Sequence, residues 1–168
     1  MRVVAFSLAV AVLGACVAVE PKRSDNSTKP APPAPVRTVY TEAPDPSPLA
    51  NSAIPRGQCG MILWSQMGSQ TVPIFRSVGI TQASMTLENE PVNLVLAQQS
   101  GMLRLGMGDS QDFITGASNS GAVGAKLRFD WGQPFPGGSY VQRGTLTVSG
   151  ADGWERVMPV AGIAGCKS

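Results

Sequence analysis

Lys126-Leu127-Arg128-Phe129-Asp130-Trp131 alternates apolar and charged side chains without a break. Successive side chains of a β-strand point to opposite faces, so Leu127, Phe129 and Trp131 share one side while Lys126, Arg128 and Asp130 share the other. One side is dry and the other wet, the pattern of an antiparallel sheet with a single solvated face. The same period recurs on both sides of this block. Leu146 and Val148 alternate with Thr145, Thr147 and Ser149, and Met85 and Leu87 alternate with Ser84, Thr86 and Glu88. No stretch after Cys59 sustains a helical period, so the expected fold class is all-β.

Turn chemistry divides the alternating blocks. Glu88-Asn89-Glu90-Pro91 stands between two of them and reads as a reversal, with proline stopping the ladder. Gly150-Ala151-Asp152-Gly153 permits positive φ and reads as a second hairpin. Gly116 to Gly121 and Pro134 to Gly138 read as longer loops. The strands expected are Gly60 to Ser65, Val72 to Arg76, Ser84 to Leu87, Val92 to Ala97, Leu103 to Leu105, Phe113 to Thr115, Lys126 to Trp131, Tyr140 to Val148 and Trp154 to Val160. Eight or nine short strands in about 110 residues suit a small antiparallel meander barrel or sandwich.

Composition removes whole classes of chemistry. The chain has no histidine and three cysteines. That rules out histidine-based triads and histidine-ligated zinc or haem, and too few thiols remain for a tetrathiolate site. Residues 56 to 168 hold eight basic and seven acidic side chains, without the clustered basic footprint of a nucleic-acid binder. Serines are plentiful, but no G-x-S-x-G or S-x-x-K run occurs, so a serine hydrolase is not expected. No cofactor is implied.

The N-terminal region carries an address. Met1-Arg2 is followed by an apolar run from Val3 to Leu13, broken only by Ser7, and then by the small residues Gly14 and Ala15 before Cys16. This is the layout of a secretory signal, and the run falls short of the ~20 apolar residues that cross a bilayer. Leu13-Gly14-Ala15-Cys16 resembles the lipobox of bacterial lipoproteins. That resemblance implies cleavage before Cys16, a diacylglyceryl thioether on its sulfur and a membrane held by two or three acyl chains. Val17 is not the aspartate that retains many such proteins at the inner membrane, so the expected site is the periplasmic face of the outer membrane, with the inner membrane as the alternative.

Nine of the chain's fourteen prolines lie between Val17 and Pro55. Prolines, small residues and scattered charges cannot offset the entropy of ordering, so this segment reads as a spacer. The expected organisation is therefore a signal peptide over residues 1–15, a lipidated proline-rich tether over 16–55 and a β-domain over 56–168. Cys59 opens that domain and Cys166 closes it. In an oxidising compartment the two are expected to pair, bringing the first and last strands together.

The remaining candidates are weak as chemistry. Glu88 and Glu90 flank a hairpin tip, Asp109 and Asp112 miss the calcium-loop spacing, and the methionines are scattered. Trp64 and Trp131 read as core and Trp154 is less defined. The aromatic residues with least core to explain them are Phe135 and Tyr140, around Pro134, Pro136 and two glycines, and these are the candidate binding residues, although a plug at the barrel end is the favoured reading of Phe135. Cys59-Gly60-Met61-Ile62-Leu63-Trp64 and the segment Gly150 to Gly162 resemble a family of small alphaproteobacterial lipoproteins with no assigned role. In layout alone the chain is similar to membrane-bound inhibitors of c-type lysozyme. Their S-G-x-x-Y motif meets Ser120-Gly121 but finds Gly124 in place of tyrosine. The reading is an envelope-anchored, non-catalytic binding domain whose partner is an envelope protein or peptidoglycan. A lipid-carrying or small-ligand barrel is the alternative, and a lysozyme-inhibitor-like protein the second.

Overall fold

The structure, a computed structural model, describes residues 43–115, 122–150 and 152–168. Cys16 and the proposed loop over 116–121 lie outside the described residues. Nine strands are present among the described residues: β1 (Pro46–Ser47), β2 (Cys59–Met67), β3 (Gln70–Val78), β4 (Gln82–Leu87), β5 (Glu90–Arg104), β6 (Met107–Thr115), β7 (Gly124–Phe135), β8 (Gly138–Ser149) and β9 (Glu155–Cys166). From β2 to β9 each strand pairs antiparallel with the next, and β9 pairs back onto β2. The result is a closed eight-stranded meander barrel with one extra strand. The all-β expectation holds, and of the two architectures it is the barrel.

Two-residue reversals make this closure compact. Leu87 pairs with Glu90 around Glu88 and Asn89, whose φ values of 51° and 66° are those of the turn that matches strand twist. Pro91 therefore sits inside β5, opposite Thr86, instead of ending the ladder. Phe135 pairs with Gly138 around Pro136 and Gly137, so the expected long loop over 134–138 is a tight turn. Proline presets the first central position and Gly137, at φ 83°, takes the second. The blocks Val92 to Ala97 and Leu103 to Leu105 belong to one element, β5, up to Arg104. Its polar glycine-containing run 98–101 is carried by register shifts at Leu96/Gln98 and Ser100/Leu103, which bend the strand without ending it.

The inward rows fill the barrel. Met61 and Leu63 of β2, Phe75 of β3, Met85 and Leu87 of β4, Leu127 of β7 and Leu146 and Val148 of β8 are fully buried. Leu94, Met107, Phe113 and Val141 are almost so. A register shift in the β2–β3 pair puts both Ile74 and Phe75 in the core, where Phe75 meets Phe113 edge-on at 5.4 Å between ring centroids. Trp64 departs from expectation: it follows inward Leu63 and precedes inward Ser65, so it lies half-buried on the outside between Pro73 and Ala161. Trp131 does join the core rim, with Phe129 edge-on at 4.8 Å.

The folded unit also begins earlier than residue 56. Residues 43–49, assigned by composition to the spacer, pack onto the barrel where β3 and β4 separate. Pro46 and Ser47 pair with Leu87 and Thr86, and the Leu49 amide donates to the Pro73 carbonyl at 2.8 Å. Arg156, projecting at the mouth of β9, holds this segment through the Asp45 carboxylate at 2.8 Å and the Ala43 carbonyl at 3.0 Å. Proline density signals an extended chain, and an extended chain can serve as an edge strand as well as a spacer.

Removing a fully buried leucine should cost its transfer energy plus the cavity left behind. Leu127→Ala is expected to lower unfolding free energy in urea by about 2–5 kcal/mol, against under ~0.5 kcal/mol for the outward neighbour Lys126→Ala.

Candidate functional site

Cys59 and Cys166 are direct cross-strand partners at one end of the β2–β9 seam, and their sulfurs are bonded. At this disulfide end the outward row across β8, β9 and β2 reads Tyr140, Ile163, Ile62. Gly165 and Gly60 stand beside the two isoleucines, again as direct partners. Close approach demands glycine at position 60 and favours it at 165. A Cβ on Gly60 would collide with the Ser77 carbonyl and lie 2.7 Å from the Ile54 side chain, and one on Gly165 would lie 3.1 Å from the Gly137 carbonyl. The strands thus offer a floor without side chains, over which Ile54 closes from one side and the Phe135-Pro136-Gly137 turn from the other.

The space enclosed is an open apolar groove of about 290 Å³, lined by Ile54, Ile62, Phe135, Pro136 and Ile163 over the glycine floor, with Lys167 at its rim. Three backbone hydrogen bonds fix its walls: Cys166 N–H to Gly137 O at 2.9 Å, Lys167 N–H to Gln58 O at 3.0 Å and Gly57 N–H to Lys167 O at 2.7 Å. Small-molecule sites generally occupy ~300–1,000 Å³, so this groove has room for one or two apolar side chains or a small apolar ligand.

Phe135 and Tyr140, singled out from sequence, are brought together here, with ring centroids 5.1 Å apart. Phe135 lies across Gly138 on the outer surface and is not a plug in the barrel mouth. Tyr140 is 47% exposed. Phe135 lines the groove and Tyr140 stands against that ring, while the groove's isoleucines, Ile54, Ile62 and Ile163, are not among the candidates from sequence. Ile62 and Ile163 stand in alternating strands where their parity would have placed them outside, and that parity was the available signal.

The remaining candidates resolve into structural roles. The Glu88 carboxylate accepts the Asp45 amide at 2.8 Å, anchoring β1. Asp109 and Asp112 lie in β6 and not in a loop. Asp109 accepts the Met102 amide at 3.1 Å across the β5 bulge. Asp112 pairs with Arg128 at 2.7 Å and accepts from Gln98 at 2.6 Å. Met61, Met85 and Met107 are core, whereas Met102 is exposed. Among the described residues no three histidine, cysteine or carboxylate side chains converge as metal ligands. A second concavity of about 360 Å³, between Arg76, Gln82 and Asn93 on β3 to β5, is as polar as it is apolar.

Compared with protein-family models, curated proteins and solved structures, the chain matches none.

The hydrogen bond from Arg128, helped by Gln98 and by the charges of Arg128 and Lys126, holds the Asp112 carboxyl below its ordinary value of 3.8 against the cost of its partial burial. A depressed folded-state value stabilises the fold above the unfolded value and loses that contribution as pH falls through the folded one. The stability difference between wild type and Asp112→Asn should therefore be the same at pH 7 and pH 5 and shrink below pH 3.8 in urea titrations.

Proposed function

We propose that this protein is an envelope-anchored binding module: acylated at Cys16, held on a membrane by that lipid, and engaging an envelope protein non-catalytically through the groove beside the disulfide. The observation that carries this reading is the apolar groove itself. Isoleucines and the Phe135 ring on the outer face of a barrel have no core to fill, and they surround a floor kept open by paired glycines, with Tyr140 against Phe135 at the edge. Wet-facing apolar clusters of this kind mark interaction sites.

Its size favours one or two inserted side chains from a protein partner over a carbohydrate, which would need polar partners along the walls. Phe135 and Tyr140 supply the rigid aromatic contacts that dominate binding energy at small interfaces. The alternative of a lipid-carrying barrel finds less support, because side chains from all eight barrel strands occupy the interior.

A photo-crosslinking residue at Ile163 in intact cells should give one dominant protein adduct, absent from a control at outward Lys126. Phe135→Ala with Tyr140→Ala should reduce that adduct at least tenfold while shifting Tm by only a few degrees. Equal adducts at both positions, or turnover of a glycan or ester by the purified domain, would contradict the reading.

A further inference from the structure

The disulfide end carries a second apolar feature, separate from the groove. Strand β5 is the longest in the barrel, and its bulges fold the β5–β6 hairpin across the barrel mouth. Three contacts hold it there. Trp131 Nε1 donates to the Met102 carbonyl at 2.8 Å, and the Arg104 guanidinium donates to Gly132 O at 2.8 Å and Ser139 Oγ at 2.7 Å. Arg104 also lies 5.7 Å from the centre of the Trp131 ring. Beside the tip stands the β3–β4 turn, where a Cβ placed on Gly106 would lie 3.0 Å from Ile80 Cδ1.

The inner side of this cap is occupied by the arginine and the tryptophan. Its outer side presents Met102 at 59%, Leu103 at 61%, Ile80 at 45% and Leu105 at 38% exposure. Four large apolar side chains thus crown one end. Nothing in the barrel uses them, since the cap is already held by Arg104 and Trp131.

Charge is sorted along the same axis. Strand direction places Arg56, Arg104 and Lys167 at the crowned end, where the acid is Asp109, engaged by the Met102 amide. The opposite end carries Asp45, Glu88, Glu90, Asp152 and Glu155 against Lys126 and Arg156. An apolar tip that shares its end of the barrel with the exposed cations Arg56 and Lys167, with most anions at the far pole, is complementary to a bilayer with anionic headgroups. We propose that the Met102–Leu105 hairpin tip and Ile80 insert into the interfacial layer of an anionic membrane, standing the barrel on its disulfide end.

Chain length permits this with the anchor in the same leaflet. The described fold starts at Ala43, near the acidic end, and 26 residues separate it from Cys16. Extended at about 3.1 Å each they reach ~80 Å, twice the ~40 Å length of a twelve-residue strand. The barrel can therefore turn its crown to the surface that holds its own lipid.

The test uses the full acylated chain in vesicles of phosphatidylethanolamine and phosphatidylglycerol, with a fluorophore on Leu103→Cys or, at the far end, on Asn89→Cys. Brominated acyl chains should quench the label at 103 at least fivefold more than the label at 89. That contrast should disappear in phosphatidylcholine vesicles and on combining Arg56→Ala with Lys167→Ala. Met102→Glu with Ile80→Glu should remove it as well, while circular dichroism stays unchanged because all these side chains are exposed. Vesicle flotation reports the acyl anchor independently, so loss of anchoring and loss of orientation read differently. Equal quenching at 103 and 89 in anionic vesicles would overturn the proposal, as would shielding of position 103 only after envelope protein is added.

Discussion

The pairing of β2 with β9 is the constraint on which the rest of the molecule depends. A meander of eight strands is an open sheet until its ends meet, and an open sheet leaves two rows of unpaired amides and carbonyls. Six residue pairs, from Cys59 with Cys166 to Trp64 with Ala161, remove those edges. The inward members, Met61 with Ala164 and Leu63 with Gly162, match a large side chain with a small one, so the strands close without overfilling the core. The disulfide spans a sequence separation of 107 and clasps the seam at its end. Linking positions that far apart restricts the unfolded chain by ~4–5 kcal/mol in the loop-entropy picture.

Closure also determines what the outside can offer. With parity fixed, Ile62 and Ile163 are forced outward as partners, and Gly60 and Gly165 leave a floor beside them. The incoming segment at Ile54 and the turn at Pro136 become walls because both are tied to the ends of the clasped strands. A single register therefore produces both the filled interior and the apolar groove. Arginines tie down both mouths of the barrel: Arg104 pins the β5–β6 hairpin at the disulfide end and Arg156 pins residues 43–45 at the other. Each satisfies polar groups that a barrel end would otherwise leave to solvent.

Much of this was legible in the sequence wherever side chains alternate. Lys126 to Trp131, Ser84 to Leu87 and Thr145 to Ser149 declare their inward residues plainly, and the cysteines at the two ends of the domain imply the seam. The unreadable parts are those where alternation is interrupted by design. A bulge admits an extra residue, so the polar run Gln98 to Gly101 resembles a loop while remaining in β5. Proline in an edge strand resembles proline in a spacer, which hid Pro46 and the docking of residues 43–49. For the site, aromatic residues in a turn point to Phe135 and Tyr140, whereas Ile62 and Ile163 are sent to the core by hydrophobicity alone and to the wet face only by strand parity. Trp64 is the same case: its size suggests core, but its place between inward Leu63 and Ser65 turns it outward.

Amide hydrogen exchange along the seam measures closure most directly. If β2 and β9 close the barrel, the amides of residues 61–63 and 162–164 should exchange as slowly as those of β7 and β8, and only by global unfolding. Rapid exchange on both sides of the seam, with β7 and β8 still protected, would describe an open sheet and contradict the account.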